Sequence, residues 1–346
     1  MIQVERLSKR YGPVRAVDRI SFAVGQGEIV GFLGPNGAGK TTTMRILTTF
    51  LPPTSGRARV AGFDVLDDPL EVRRKVGYLP ENVPLYTEMR VLEYLNFRAK
   101  LKDVPRTRRR AAIDAVIDRC GLTDVSTRIL GQLSKGYRQR VGLAEAMVHD
   151  PEILILDEPT AGLDPIQIRE VRSLIRELGD RHTILLSTHI MSEVEAVCGR
   201  VILIVQGKIA IDDTLEQLHA GTAIVVEARG PADAVRKALE ITPGVAGVAE
   251  ISRNGDSATF EIQARPGADP REALAQRLVQ NGWGLRQLLQ RKSSLEERFV
   301  EAVREATVAT DEPTSPPDDS DPTTSATSAV PDGSSAAPQN DASGAA

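Results

Sequence analysis

Nowhere in the 346 residues is there an apolar run of the roughly 18 residues that a membrane-crossing helix needs. The longest candidates, ILIL before Asp157 and VILIV after Arg200, have the length of strands. Any membrane role must therefore be borrowed from a partner. The opening MIQVERLSKRYG lacks an apolar core of about 7 to 15 residues like that of a secretory signal, so the expected location is the cytoplasm. Cysteine is scarce as well. Cys120 and Cys198 have no metal-ligand spacing, and a reducing compartment disfavours a disulfide between them, so both read as small core hydrophobes. Positive charge is not in useful excess either. The formal net charge is -4; residues 307–346 hold seven acids and no Lys or Arg, which leaves the remainder at +3, too little to argue for nucleic acid.

What is present divides into three regions. Residues 1–219 alternate short apolar strands with helical patterns, the α/β signature. Residues 220–306 read as strand 223–228, helix 232–239, strands 245–252 and 258–264, helix 272–280, strand 285–289 and a closing helix 295–303. That order, βαββαβ plus a helix, predicts a small α+β ferredoxin-like domain. Asn254-Gly255 between the middle strands predicts a type I′ hairpin turn, because both residues tolerate positive φ. Leu295, Phe299 and Val303 recur every four residues and give the last helix one apolar stripe. Residues 307–346 are rich in Pro, Ser, Thr, Ala and Asp, without aromatics or leucine. They cannot bury enough apolar surface to offset chain entropy, and a disordered tail is expected.

GEIVGFLGPNGAGKTTTMRIL runs from an apolar strand (29–33) through a glycine-rich turn into an apolar-faced helix, the context a phosphate-binding loop requires. Gly34, Gly37 and Gly39 leave room for the backbone of Gly34, Pro35, Asn36, Gly37, Ala38 and Gly39 to wrap phosphates. The amides of residues 37–41 meet a helix N-terminus, where the dipole favours anions. Lys40 can reach the β- and γ-phosphates; Thr41 can coordinate Mg²⁺, with Thr42 beside it. Downstream, the buried-strand run PEILILDEPT ends in two acids. Asp157 falls at the C-terminal tip of its strand, where ligands bind in parallel sheets, and can hold the metal. Glu158, one residue on, is positioned as the general base that takes a proton from water.

These motifs, with three others, make residues 1–219 resemble the ABC (ATP-binding-cassette) ATPase family. LSKGYRQR (133–140) is similar to the family's LSGGQ signature, AGLDP (161–165) to its D-loop, and STH ending at His189 to its switch histidine. The resemblance implies a P-loop NTPase cassette with a RecA-like core and a helical subdomain, cofactors ATP and Mg²⁺, and an ATP sandwich. In that sandwich Ser134 and Gly136 of one cassette contact the γ-phosphate held by another, a homodimer in the simplest case. It also implies that His189 stands by the γ-phosphate and the attacking water, that Tyr11 stacks on adenine, and that Asp164 lies among the nucleotide contacts. Two departures stand out. The Q-loop glutamine is Glu81 here, so metal or water coordination at that place falls to an acid; signature positions three and five are Lys135 and Tyr137. Ser134 and Gly136 are retained, and activity is expected to survive.

Residues 82–140 correspond to the stretch where the family inserts helices that touch a membrane partner. Ile113, Val116, Ile117 and Cys120 share one helical face there, while Arg106, Arg108, Arg109 and Arg110 form a solvated start. GYLPE, LSKGY and the LEERF-like terminal helix look like the drug-exporter and gliding-motility-like branch of bacterial ABC ATPases. That branch implies separately encoded integral membrane permease subunits, a peripheral place on the cytoplasmic face of the membrane, and transport, with export as the expected direction. A soluble ABC ATPase of translation or DNA repair is the alternative, but two cassettes or a long coiled-coil insertion would normally mark it, and neither occurs. A GTPase would show an NKxD-like base-reading motif, also missing.

Overall fold

The structure, a computed structural model, describes residues 1–219, 222–265, 268–292, 299–300 and 304. The chain opens with the antiparallel pair β1 (Ile2–Tyr11) and β2 (Val14–Val24), followed by β3 (Ile29–Leu33) and α1 (Lys40–Leu47). Next come β4 (Ser55–Val60), β5 (Phe63–Asp64), α2 (Pro69–Lys75) and β6 (Val76–Leu79). Three helices follow, α3 (Val91–Leu101), α4 (Arg106–Arg119) and α5 (Lys135–Met147). The chain then alternates through β7 (Ile153–Asp157), α6 (Pro165–Gly179), β8 (Thr183–Thr188), α7 (Met191–Val197), β9 (Arg200–Val205), β10 (Lys208–Thr214) and α8 (Leu215–His219).

Two sheets result. One is antiparallel, ordered β2-β1-β4-β5; the other is ordered β10-β9-β3-β8-β7-β6, parallel throughout except for the antiparallel edge strand β10. β7 and β8 are buried at every position, which is why they read as unbroken apolar runs: a parallel sheet covered on both faces has no wet side. α6 shows the complementary pattern. Val171, Leu174, Ile175 and Leu178 are its buried residues, Asp164 caps it and Pro165 opens it, as helix starts prefer. α3, α4 and α5 pack on one another, and Ile113, Val116, Ile117 and Cys120 are buried there as their spacing requires. Both thiols are free and buried, and burial pushes each up to about 12.

The remaining described elements are β11 (Thr222–Arg229), α9 (Ala232–Glu240), β12 (Val245–Asn254), β13 (Ser257–Ala264), α10 (Arg271–Gln280) and β14 (Gly284–Lys292). They form an antiparallel sheet ordered β12-β13-β11-β14, with its own core around Val226, Leu239, Phe260, Ile262 and Leu274. This is the ferredoxin-like βαββαβ arrangement. The hairpin differs from expectation. Asn254 pairs with Ser257 as the last rung, so the turn centres on Gly255-Asp256, and only Gly255 (φ 61) has positive φ, the pattern of type II′. The strands extend past the apolar residues because Asn254 still finds a cross-strand partner. Phe299 and Val300 are helical and Phe299 packs on the core shared by α3–α7. The rest of the expected closing stripe, Leu295 and Val303, and the expected disordered tail lie outside the described residues.

Candidate active site

The C-terminal ends of β3, β7 and β8 lie side by side, and three motifs leave the sheet there. Register is what brings them together: Leu33 pairs with Thr188, and Asp157 with Ser187. The loop after β3 depends on its glycines, for two different reasons. A Cβ on Gly34 would stand 2.3 Å from the Ile204 carbonyl, so this glycine is required by packing against β9. Gly39 has φ 109 and its Cβ would meet the Ala16 carbonyl at 2.5 Å. Room for phosphate is instead found at Gly37, whose added Cβ would meet nothing within 4 Å. No side chain caps α1, so the amides of its first turn have no side-chain acceptor, a setting that favours an anion.

Lys40 is buried, and its Nζ donates to the Gly34 carbonyl at 2.8 Å and the Pro35 carbonyl at 3.2 Å. The same ammonium lies 3.5 Å from Glu158 Oε1. His189 Nδ1 lies 2.9 and 3.1 Å from the two Glu158 oxygens. A carboxylate can only accept, so Nδ1 is the nitrogen that carries the proton. Glu158 itself has φ 50, left-handed backbone that a non-glycine residue adopts at a cost, and its amide donates to the Ser187 carbonyl at 2.9 Å. Backbone strain of this kind is retained where the surroundings over-determine it.

Asp157 is fully buried. Its Oδ1 accepts from Ser187 Oγ at 2.8 Å and Thr41 Oγ1 at 3.3 Å, while the buried Oδ2 has no protein partner. Burial holds this carboxyl above its ordinary range, against the two hydroxyl donors; Glu158 and Glu81 add to the upward push. An orphaned buried carboxylate oxygen next to a threonine hydroxyl is a donor set for a hard cation. Among the described residues no group of three or more His, Cys, Asp or Glu forms a metal cage. Mg²⁺ needs none, since it is commonly held by one or two carboxylates together with substrate phosphates. Thr41 and Asp157 fit that cation.

A cavity of about 320 Å³ joins these groups, lined by Asn36, Gly37, Gly39, Lys40, Thr41 and Thr42 of the loop together with Glu81, Glu158 and His189. Gly34, Pro35 and Ala38 stand behind that lining: Gly34 and Ala38 are buried, and the first two contribute the carbonyls that hold Lys40. The other expected contacts are elsewhere. Tyr11, half-exposed at the end of β1 with Lys9 Nζ 5.5 Å from its ring centre, does not line the cavity. Ser134 caps α5, its Oγ accepting from the Tyr137 amide at 3.4 Å. A Cβ on Gly136 would lie 2.5 Å from the end of the Gln167 side chain in the first turn of α6. Asp164 Oδ1 caps α6 through the amides of Ile166 and Gln167, both at 3.0 Å. Sequence reasoning missed Ser187; a serine directly after the apolar 184–186 run of β8 was the available signal. A larger concavity of about 770 Å³ lies beside Trp283, but its arginines are exposed and already paired, Arg229 with Asp256 and Arg253 with Glu250 and Asp233. The chemistry converges in the smaller one.

A phosphate-binding loop, a lysine, a strand-end aspartate and an adjacent glutamate with a histidine on one parallel sheet define a P-loop nucleotide-hydrolysing protein. Residues 17–161 match the family model described as ABC transporter. The chain is 33% identical over 303 residues to the uncharacterized ABC transporter ATP-binding protein YxlF of Bacillus subtilis (strain 168), covering 88% of this chain and 99% of that protein. It is 35% identical over 306 residues to the daunorubicin resistance ATP-binding protein DrrA2 of Streptomyces coeruleorubidus, covering 86% and 94%. A solved structure of an ATP-binding subunit of an ABC transporter superposes with a TM-score of 0.59 at 29% identity, over 63% of this chain and 92% of that one. The chain therefore belongs to the ABC transporter ATP-binding proteins, and it is an ATPase.

Proposed function

We propose that this chain forms one half of a pair of cassettes that closes around two ATP and drives export through separate membrane permease subunits from the cytoplasmic face. The observation that carries the reading is the incomplete cavity. It gathers Lys40, Thr41, Glu81, Glu158 and His189, but not Ser134 or Gly136, and in this reading the signature meets nucleotide held by another molecule. A second copy of this chain is the simplest source. Among the described residues no helix is long and apolar enough to cross a membrane, and in this reading the membrane path belongs to a partner. Export is the direction that the drug-resistance name of DrrA2 supports.

In this reading residues 1–219 form the cassette, 220–306 an accessory domain and 307–346 a tail. Phosphate oxygens of ATP compete with Glu158 for the Lys40 ammonium, a charge-assisted contact that frees the glutamate. Glu158 then takes a proton from the attacking water, with His189 Nδ1–H orienting its carboxylate. Bound Mg²⁺, held by Thr41 and Asp157 with Glu81 in reach, would neutralise developing phosphate charge. Tyr11 stacks on the base, and Asp164 keeps the segment between Glu158 and α6 at the dimer face. Loss of the γ-phosphate removes the bridge to Ser134, and the pair reopens.

The test uses Glu158→Gln with ATP and Mg²⁺. A dimer by light scattering that dissociates with ADP is expected, and a monomer at high concentration would refute the clamp. Affinity purification from solubilised membranes should recover an integral membrane protein; recovery only of soluble partners would refute the transport reading.

A further inference from the structure

Glu193, in the first turn of α7, is 1% exposed although nothing in the mechanism above uses it. Its two carboxylate oxygens are divided between two strand ends. Thr160 Oγ1 donates to Oε1, and Thr188 Oγ1 donates to Oε2 at 2.7 Å. Thr160 is the second residue after Glu158; Thr188 directly precedes His189. Both hydroxyls are buried, so neither has water as a substitute acceptor. Arg172 of α6 lies 3.8 Å from Oε1 and donates to Ser192 Oγ at 3.2 Å, which ties α7 to the helix that follows the D-loop-like segment. Thr188 Oγ1 also accepts from the Ile190 amide at 3.1 Å, fixing the turn that aims His189.

We propose that Glu193 is a positioning residue for hydrolysis: one buried carboxylate clamps the loop after β7 to the end of β8, and so sets Glu158 against His189. This rests on the assignment of Glu158 as the base. The need for such a clamp follows from the local backbone. Glu158 sits in left-handed conformation at φ 50, and without an external tie the loop could relax and carry the carboxylate away from Nδ1. A shift of about 1 Å in a reacting group can cost about 100-fold in rate. Glutamine at 193 keeps the shape, but its NH₂ cannot accept, so one threonine loses its acceptor and Arg172 loses its counter-charge.

The experiment measures kcat, KM and nucleotide affinity for Glu193→Gln, Glu158→Gln and the double variant in the full chain. Glu193→Gln should lower kcat by about 10- to 100-fold while ATP affinity stays within about 2-fold, and should add no further loss in the Glu158→Gln background. Thr188→Val and Thr160→Val, each of which removes one arm, should lower kcat less and keep the proposal testable if Glu193→Gln does not fold. Wild-type kcat in Glu193→Gln, a loss that adds fully to that of Glu158→Gln, or a loss confined to ATP affinity would overturn it. Wild-type turnover in Glu158→Gln itself would instead remove the base assignment, so the two failures are distinguishable.

Discussion

Around the C-terminal ends of the parallel strands charged side chains are buried: Lys40 at the start of α1, Asp157 at the end of β7, Glu158 just after it and Glu193 in α7. Among the described residues from 222 to 292 the buried polar positions are only Thr242 and Ser257, both uncharged. There the ions stay outside, as pairs such as Arg236 with Glu240 and Arg229 with Asp256. Backbone strain next to buried charge follows the same division, with Glu158 at φ 50. Charges withdrawn from water cost stability but act strongly on whatever enters beside them, whereas surface pairs are cheap and weak. The parallel sheet is organised for chemistry, and the antiparallel sheet of residues 222–292 for holding a shape.

That contrast can be broken in order of effect size. Glu158→Gln should reduce ATP turnover by about 10²- to 10⁴-fold with nucleotide binding retained, measured by phosphate release and calorimetry; near-normal turnover would dissolve the distinction at its centre. Phe260→Ala empties a fully buried position in the antiparallel sheet and should cost about 3–5 kcal/mol there. Hydrogen exchange should accelerate across β11–β14 while basal ATP turnover is kept. Loss of turnover would mean that the two regions are not separable.

Asp157→Asn should move stability the other way, raising Tm by roughly 2–4 °C as turnover is lost. The sign follows from burial, which raises the folded-state pKa above the ordinary 3.8. Ionisation then penalises the folded state: the penalty is absent below pH 3.8 and complete once pH exceeds the folded value. Scanning calorimetry should show the gap between variant and wild type closing as pH falls through that range, and a gap that widens would reverse the argument. Smallest of all, Arg253→Ala removes exposed pairs with Glu250 and Asp233 and should leave the thermal midpoint indistinguishable from wild type in moderate salt.

Much of this was legible in the residues because local patterns carried it. The glycine-rich turn, the ILILD strand with its two acids, and the apolar faces of α4 and α6 each specify structure within a dozen positions. The βαββαβ order of 222–292 was equally plain, since apolar alternation changes period at each boundary. What stayed hidden depends on register between distant segments. Thr41 meets Asp157 across 116 positions, and Ser187 faces Asp157 only because β7 and β8 pair in one alignment. Glu193 was invisible for the same reason, and its acid in an amphipathic helix start looks like any solvated charge. The turn at Gly255 was placed one residue early because strand ends follow hydrogen bonding rather than hydrophobicity.

Cys120 and Cys198 offer a practical return. With both sulfurs enclosed and protonated far above neutrality, maleimide dyes should pass them by in the folded protein. Single surface thiols introduced on α4 and on β12 would then accept fluorophores without first stripping the native sequence, so cassette closure could be followed by energy transfer in otherwise unaltered molecules.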